Sequence, residues 1–266
     1  MFTRSLILLA AFIVAHAMPA VAQNAERPSM CLAMAQAIPH VIYANLPGAA
    51  STDEVTITYA GHSTYVIETP AGVRIATDYS GIYGSNPLPD VVTMNKAHST
   101  HHTMHPDPSI KHVLHGWGDG SEAAKHSLVV EDVYIRNVTT DIRRFGGAEK
   151  DGNSIFIFEV AGLCIGHLGH LHHTLDNSHY AAIGRLDIVM VPIDGGLTMS
   201  LEGMTQITRR LSSSIVLPMH RNATPLSAFT SRVESGFDLD FRDSASITLS
   251  IRNLPRRPTV VILSGV

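Results

Sequence analysis

Two stretches of this chain leave few folds open. LDIVMVP (186–192) and SSIVLPM (213–219) are apolar almost without interruption. A strand made from either has no polar face to give to water, so it belongs in a sheet covered on both sides. Between them SLEGMTQITRRL (200–211) is amphipathic, with Ser200 placed to cap a helix. Upstream, the pattern changes to hairpins. VTITYAG alternates, and STYVIET and AGVRIATD pair through Pro70-Ala71-Gly72. NSIFIFEVAGLCIGHLGHLHHTL gives two apolar arms joined at Ala161-Gly162, and Asp176 can cap a short helix after them. Hairpins followed by strands alternating with helices predict an α/β protein with helices outside buried sheets. The polar stretch IRRFGGAEKDG (142–152) is expected to be a loop, and a last helix (226–235) and two short strands close the chain.

The first residues read as something other than fold. MFTRSLILLAAFIVAHAMPAVAQ has one basic residue, a short apolar run and a small-x-small site at Ala20-Val21-Ala22, the pattern of a secretory signal peptide. The run is short for an uncleaved anchor, and Pro19 follows it. The expected organisation is a signal peptide (1–22), an N-terminal arm (23–53) with a helix-like piece at 30–37, and a domain over 54–266. The mature protein is then expected to be periplasmic or secreted, with no membrane contact after signal removal. In such a compartment Cys31 and Cys164 can form one disulfide. Cys164 lies in an apolar run, where a buried thiol is equally ordinary, and both readings stand.

A formal net charge of −4 and no basic cluster longer than two residues exclude an electrostatic case for nucleic acid. The 16 histidines, nearly as many as the 19 lysines and arginines, point elsewhere. Four of them, His98, His101, His102 and His105, follow the apolar strand Asp90–Met94. A second group, His167, His170, His172 and His173, ends the long hairpin, and His220 ends the last buried strand. Strands that deliver histidines to their C-terminal loops are a common way to build a metal site.

Three histidine-bearing strand ends in this order resemble the metallo-β-lactamase superfamily, closest to its lactonase-like branch, over roughly Val55–Val266. YAGHSTYVIETPAGVRIATD resembles that branch's first hairpin, with His62 in its turn and Asp78 in its aspartate position. HLGHLHH resembles its HLGD segment, and IVLPMH the strand that carries the last metal histidine. The resemblance implies a four-layer αββα sandwich with a metal site at one edge. The superfamily's H-x-H-x-D-H motif is altered here to Lys96-Ala97-His98-Ser99-Thr100-His101, a later metal histidine maps near Thr140, and His170 replaces the bridging aspartate. A dinuclear site needs a bridging carboxylate to offset the repulsion of two cations. The expectation is therefore one ion, zinc or another divalent transition metal, on His98, His101, His170 and His220.

Lys96 is expected to serve as a substrate-oxyanion group or a lysine of lowered pKa, and Asp194, or else Asp141, as a carboxylate base. Asp78 is expected to fix a ligand's orientation and His62 to hydrogen-bond the site. His102 and His173 read as supporting or surface groups, and His105, His112, His115, His126 and His179 as surface residues. The functional expectation is an exported metallo-hydrolase of small-molecule esters, lactones, amides or phosphoesters. The alternative is a non-catalytic periplasmic protein that keeps the fold and binds a small molecule or a metal. No G-x-S-x-G elbow, phosphate loop or dinucleotide glycine pattern is present in the sequence.

Overall fold

A computed structural model describes residues 28–32, 53–144 and 147–266. The signal peptide and nearly all of the arm lie outside the described residues, apart from a helical stretch over 30–32. One sheet contains β1 (Val55–Gly61), β2 (Thr64–Glu68), β3 (Arg74–Ala76), β4 (Val91–Met94) and β5 (His112–His115). The other begins with β6 (Ser127–Val130), β7 (Val133–Arg144), β8 (Gly147–Val160) and β9 (Leu163–His167). It continues with β10 (Ile188–Pro192), β11 (Ile215–Met219) and β12 (Asp238–Phe241). Late in the chain β13 (Ser246–Leu249) returns to the first sheet and β14 (Thr259–Ile262) to the second, giving orders β13-β1-β2-β3-β4-β5 and β12-β14-β11-β10-β9-β8-β7-β6. The helices are α1 (Asn177–Ile183), α2 (Leu201–Leu211) and α3 (Leu226–Val233).

Side-chain alternation explains the architecture. Ile57, Ile67 and Ile75 of the first sheet meet Phe156, Phe158, Met190 and Leu217 of the second in the central core. On β10 and β11, Val189, Val191 and Val216 point the other way, onto Met204 of α2 and Phe229 of α3. Both faces of these strands are dry, which is why their sequences lack a polar face. The sheets form the expected α/β sandwich. The outer face of the first sheet, with Val66, Ala76, Val92 and Met94, is roofed by loop residues Tyr79, Ile110 and Trp117. Among the described residues the helices lie on the second sheet.

Two details depart from expectation, and one open reading closes. The stretch 142–152 is mostly paired, not a loop: β7 and β8 continue beyond the sandwich with Ile142 opposite Glu149 and Arg144 opposite Gly147. Ile142 is fully buried against Gly152, where a Cβ would stand 2.6 Å from its side chain. Packing thus holds a segment whose polar composition reads as loop. β5 and β12, too short and mixed for a periodic signal, form because each lies parallel to a neighbouring buried strand. Of the two cysteine readings the disulfide is the one formed, joining Cys31 to Cys164 across 133 residues. Beside it the buried Glu159 carboxylate accepts from the Ser29 hydroxyl and the Met30 amide and pairs with Arg136 at 2.8 Å. The Arg136 guanidinium also donates to the Ala182 and Ile183 carbonyls at the end of α1.

Candidate metal centre

The first sheet ends parallel at β3 and β4, and the second at β9, β10 and β11. The C-terminal ends of parallel strands are where open α/β sheets bind ligands. Asp78 follows β3, His98 and His101 follow β4, His170 follows β9, Asp194 follows β10 and His220 follows β11. Three non-glycine residues here turn through positive φ: His62 (53°), Asp78 (44°) and His220 (49°). Such backbone costs about 1–3 kcal/mol per residue and persists where surrounding packing fixes it.

These strand ends bring His98, His101, His170 and His220 together. One ring nitrogen from each lies within 4.8 Å of all the others, close enough to hold a metal ion. The outer nitrogens of two rings are already taken. His101 Nδ1 donates to Asp78 Oδ2 at 2.7 Å, with Ser63 Oγ at 3.1 Å, and His220 Nδ1 donates to Asp194 Oδ1 at 3.1 Å. A neutral imidazole that donates from Nδ1 keeps its lone pair on Nε2. Both Nε2 atoms, of His101 and of His220, are buried without a hydrogen-bond partner. A buried lone pair costs free energy unless something accepts it. Two such nitrogens, each backed by a carboxylate, are the donor set of a carboxylate–histidine–metal arrangement, and the residues fit the ion.

The carboxylates are held as anions. Burial opposes the charge of Asp78, but the His101 and His167 rings, with hydrogen bonds from His101 and Asn95, bring its pKa well below the usual range. Burial likewise opposes Asp194, and bonds from His220, Thr198 and the loop amides outweigh it. Burial and then the neighbouring rings lower His98 to about 4, and His62 to about 4. His170 falls well below its ordinary value for the same reasons in the same order. At neutral pH these rings are uncharged and able to ligate.

The two expected catalytic residues are otherwise engaged. Lys96 Nζ pairs with Glu149 Oε1 at 2.5 Å on the rim of a cavity of about 230 Å³ that Trp117 and Glu122 also line. The partner comes from the β7–β8 extension that the sequence suggested was a loop. The Asp194 carboxylate accepts from the amides of Gly196, Leu197 and Thr198, from the Thr198 hydroxyl and from His220. Five donors leave it no free lone pair with which to take a proton. Asp141, the other candidate base, accepts from the Asp151 amide within the β7–β8 extension.

Asp78 orients His101 as expected. His62 approaches differently from expectation: its carbonyl accepts from the His220 amide at 2.7 Å, while its Nε2 is buried without a partner and its ring stands 4.3 Å from that of His220. His102 donates to the Asn95 carbonyl and packs on Trp117, and His167 donates to the Ser63 carbonyl. Thr140 accepts from Asn153, whose Oδ1 in turn accepts from the His170 amide.

Sequence reasoning missed the amides behind the rings. Asn95 Oδ1 accepts from the Ser154 amide at 2.7 Å, which turns its Nδ2 toward Asp78 Oδ1 at 2.7 Å. Gly169, at φ 62°, lets the backbone pass both Asn95 and Asn153, with a Cβ position 2.4 Å from each. The signal available was a buried-strand asparagine directly before the histidine loop.

Residues 56–220 match the protein family described as "Beta-lactamase superfamily domain". A comparison with curated proteins finds no match. Among solved structures the chain is similar to one described as a zn-dependent hydrolase of the metallo-beta-lactamase superfamily from Thermotoga maritima. That pair shares 23% identity and a TM-score of 0.56, over 79% of this chain and 98% of the other. A metal-dependent hydrolase from Parabacteroides distasonis gives 15% and 0.54 over 68% and 88%. Igni18, described as a novel metallo hydrolase from Ignicoccus hospitalis, gives 19% and 0.51 over 68% and 91%. With the family match spanning both sheets and the four-histidine cluster at their shared edge, the chain belongs to the metallo-β-lactamase superfamily.

Proposed function

We propose that this protein is an exported metal-dependent hydrolase of the lactonase-like branch that works with one divalent ion, zinc or a similar metal, in its histidine cluster. The observation that carries the reading is the pair of buried, unpartnered Nε2 atoms on His101 and His220, each backed by a carboxylate. When bound, such an ion acts as a Lewis acid on a carbonyl or phosphoryl oxygen and lowers the pKa of water. The chain supplies the rest. Asp78 and Asp194 hold two rings in register, and His98 closes the third side from the β4 loop. In this reading the substrate is a small ester, lactone, amide or phosphoester, and the Lys96–Glu149 pair on the rim of the cavity is its polar contact, with Lys96 engaged by Glu149 rather than free. One ion rather than two follows from His170 standing where the superfamily places a bridging aspartate, since a neutral ring cannot offset a second cation.

A second reading, a metal-binding protein without catalysis, is favoured by the saturation of Asp194, which leaves that carboxylate unfit as a base. One experiment separates the two. Metal content is measured on dialysed, tag-free protein beside a His98→Ala/His220→Ala variant, and both are assayed on chromogenic esters, lactones and phosphodiesters with and without zinc. About one ion and zinc-dependent turnover in the wild type, both lost in the variant, support the hydrolase. One ion without turnover supports the binding protein. Equal substoichiometric metal in both proteins refutes the site.

A further inference from the structure

The fourth ring of the cluster has a hydrogen-bond environment unlike the other three. His101 and His220 are backed by carboxylates, which accept. His170 is backed by another histidine: its Nδ1 lies 2.7 Å from His172 Nε2, and its Nε2 lies 2.8 Å from His98 Nε2. A contact between two ring nitrogens holds one hydrogen, so each is an N–H donor facing a lone pair. Which way the chain of bonds runs is decided at its far end. The backbone amide of Arg143 donates to His172 Nδ1 at 2.5 Å. An amide has no other role, so His172 Nδ1 is the acceptor.

The remaining assignments follow one from another. His172 carries its hydrogen on Nε2 and gives it to His170 Nδ1. His170 then carries its hydrogen on Nε2 and presents an N–H toward His98. His98 accepts there and keeps its own hydrogen on Nδ1, where Thr100 Oγ1 lies at 3.0 Å. The Arg143 amide, at 2.5 Å from Nδ1, leaves no room there for a second hydrogen. Arg143 is itself fixed, because its guanidinium bonds the carbonyls of Gly196, Leu197 and Thr198, in the loop organised by Asp194.

We propose that His170 is the hydrogen-bond donor of the site and not a fourth ligand, its proton held on Nε2 by the Arg143 amide acting through His172. The inference rests on the metal reading above. His98, His101 and His220 supply three lone pairs to one ion, and His170 turns an N–H into the same space. With the His98 lone pair engaged by a bound ion, the His170 N–H would be left to donate to an oxygen of a carbonyl or phosphoryl group. Where the superfamily's aspartate would bring a negative charge, this chain brings a donor suited to an oxygen gaining negative charge.

The test is nuclear magnetic resonance on full-length, ¹⁵N-labelled protein loaded with ¹¹³Cd²⁺, since cadmium splits the signal of each ring nitrogen bonded to it. Three coupled rings are expected, His98, His101 and His220, with His170 uncoupled and protonated at Nε2. In a His172→Ala variant, which frees His170 Nδ1 to hold the hydrogen, a fourth coupling at His170 is expected. Coupling at His170 in the wild-type protein overturns the proposal and leaves the metal reading standing. Three couplings unchanged in His172→Ala refute control through His172. Failure to bind cadmium removes the metal reading and the proposal with it.

Discussion

Asp78→Asn changes one atom in the interior and is expected to separate stability from metal binding. Asp78 is fully buried and takes two hydrogen bonds, from Asn95 Nδ2 on Oδ1 and from His101 Nδ1 on Oδ2, each 2.7 Å. Asn95 cannot turn, because its own Oδ1 accepts from the Ser154 amide. The new amide must therefore keep its oxygen toward Asn95 and put its NH₂ toward His101. That N–H opposes the His101 Nδ1–H unless the ring moves its hydrogen to Nε2. With the hydrogen moved, both hydrogen bonds are retained and the metal-free fold loses little. The Nε2 lone pair that faces the cluster is then gone. Metal can return only by forcing two N–H groups against each other. At about 1–3 kcal/mol for each buried unsatisfied donor, that costs about 2–6 kcal/mol. At 1.4 kcal/mol per factor of ten the lower bound is about a 30-fold loss of zinc affinity. The assay is zinc competition with a chelating dye, beside urea unfolding of the metal-free proteins. Asp78→Ala, which orphans both donors, is the contrast and should lose stability as well. Zinc affinity of folded Asp78→Asn within threefold of the wild type would refute the reasoning.

Three further outcomes follow from the same structure. Replacing both cysteines by alanine opens a 133-residue covalent loop, for which chain entropy predicts a loss of about 5 kcal/mol. Denaturant midpoints measure it, and a loss below about 1 kcal/mol would contradict the entropic account. Without metal, stability should fall as pH drops from 6.5 toward 4. His62, His98 and His172 have folded values near 4 against 6.5 unfolded, so within that window only the unfolded chain takes up their protons. The depressed carboxylates Asp78 and Asp194 add to the loss at lower pH still. Urea midpoints at pH 7.5, 5.5 and 4.5 in chelator check this, and a flat profile counts against it. Gly169→Ala should abolish metal binding by driving a Cβ into Asn95 and Asn153, on top of a left-handed backbone costing about 1–3 kcal/mol. Zinc affinity equal to the wild type would show that the two amides are not needed.

Strand periodicity, caps and breakers were enough to find the layered fold, because each depends on a residue and its near neighbours. The apolar runs at β10 and β11, the turn at Ala161-Gly162 and the caps at Asp176 and Ser200 are of this kind. The histidines that end strands were equally visible. What sequence could not provide was direction and partnership. The Lys96–Glu149 pair depends on β7 and β8 continuing past the sandwich, and that depends on Ile142 finding the bare backbone of Gly152. Asp194 looks like a free strand-end carboxylate in the sequence and becomes a saturated one when the loop folds back over it. The sequence by itself determined that histidines would end several buried strands, and the tertiary structure brought four of those rings to one point. Only the tertiary structure decided which nitrogen of each ring faces inward, because that choice belongs to the groups behind the rings. Two are carboxylates and one is a backbone amide, each brought from a distant part of the chain.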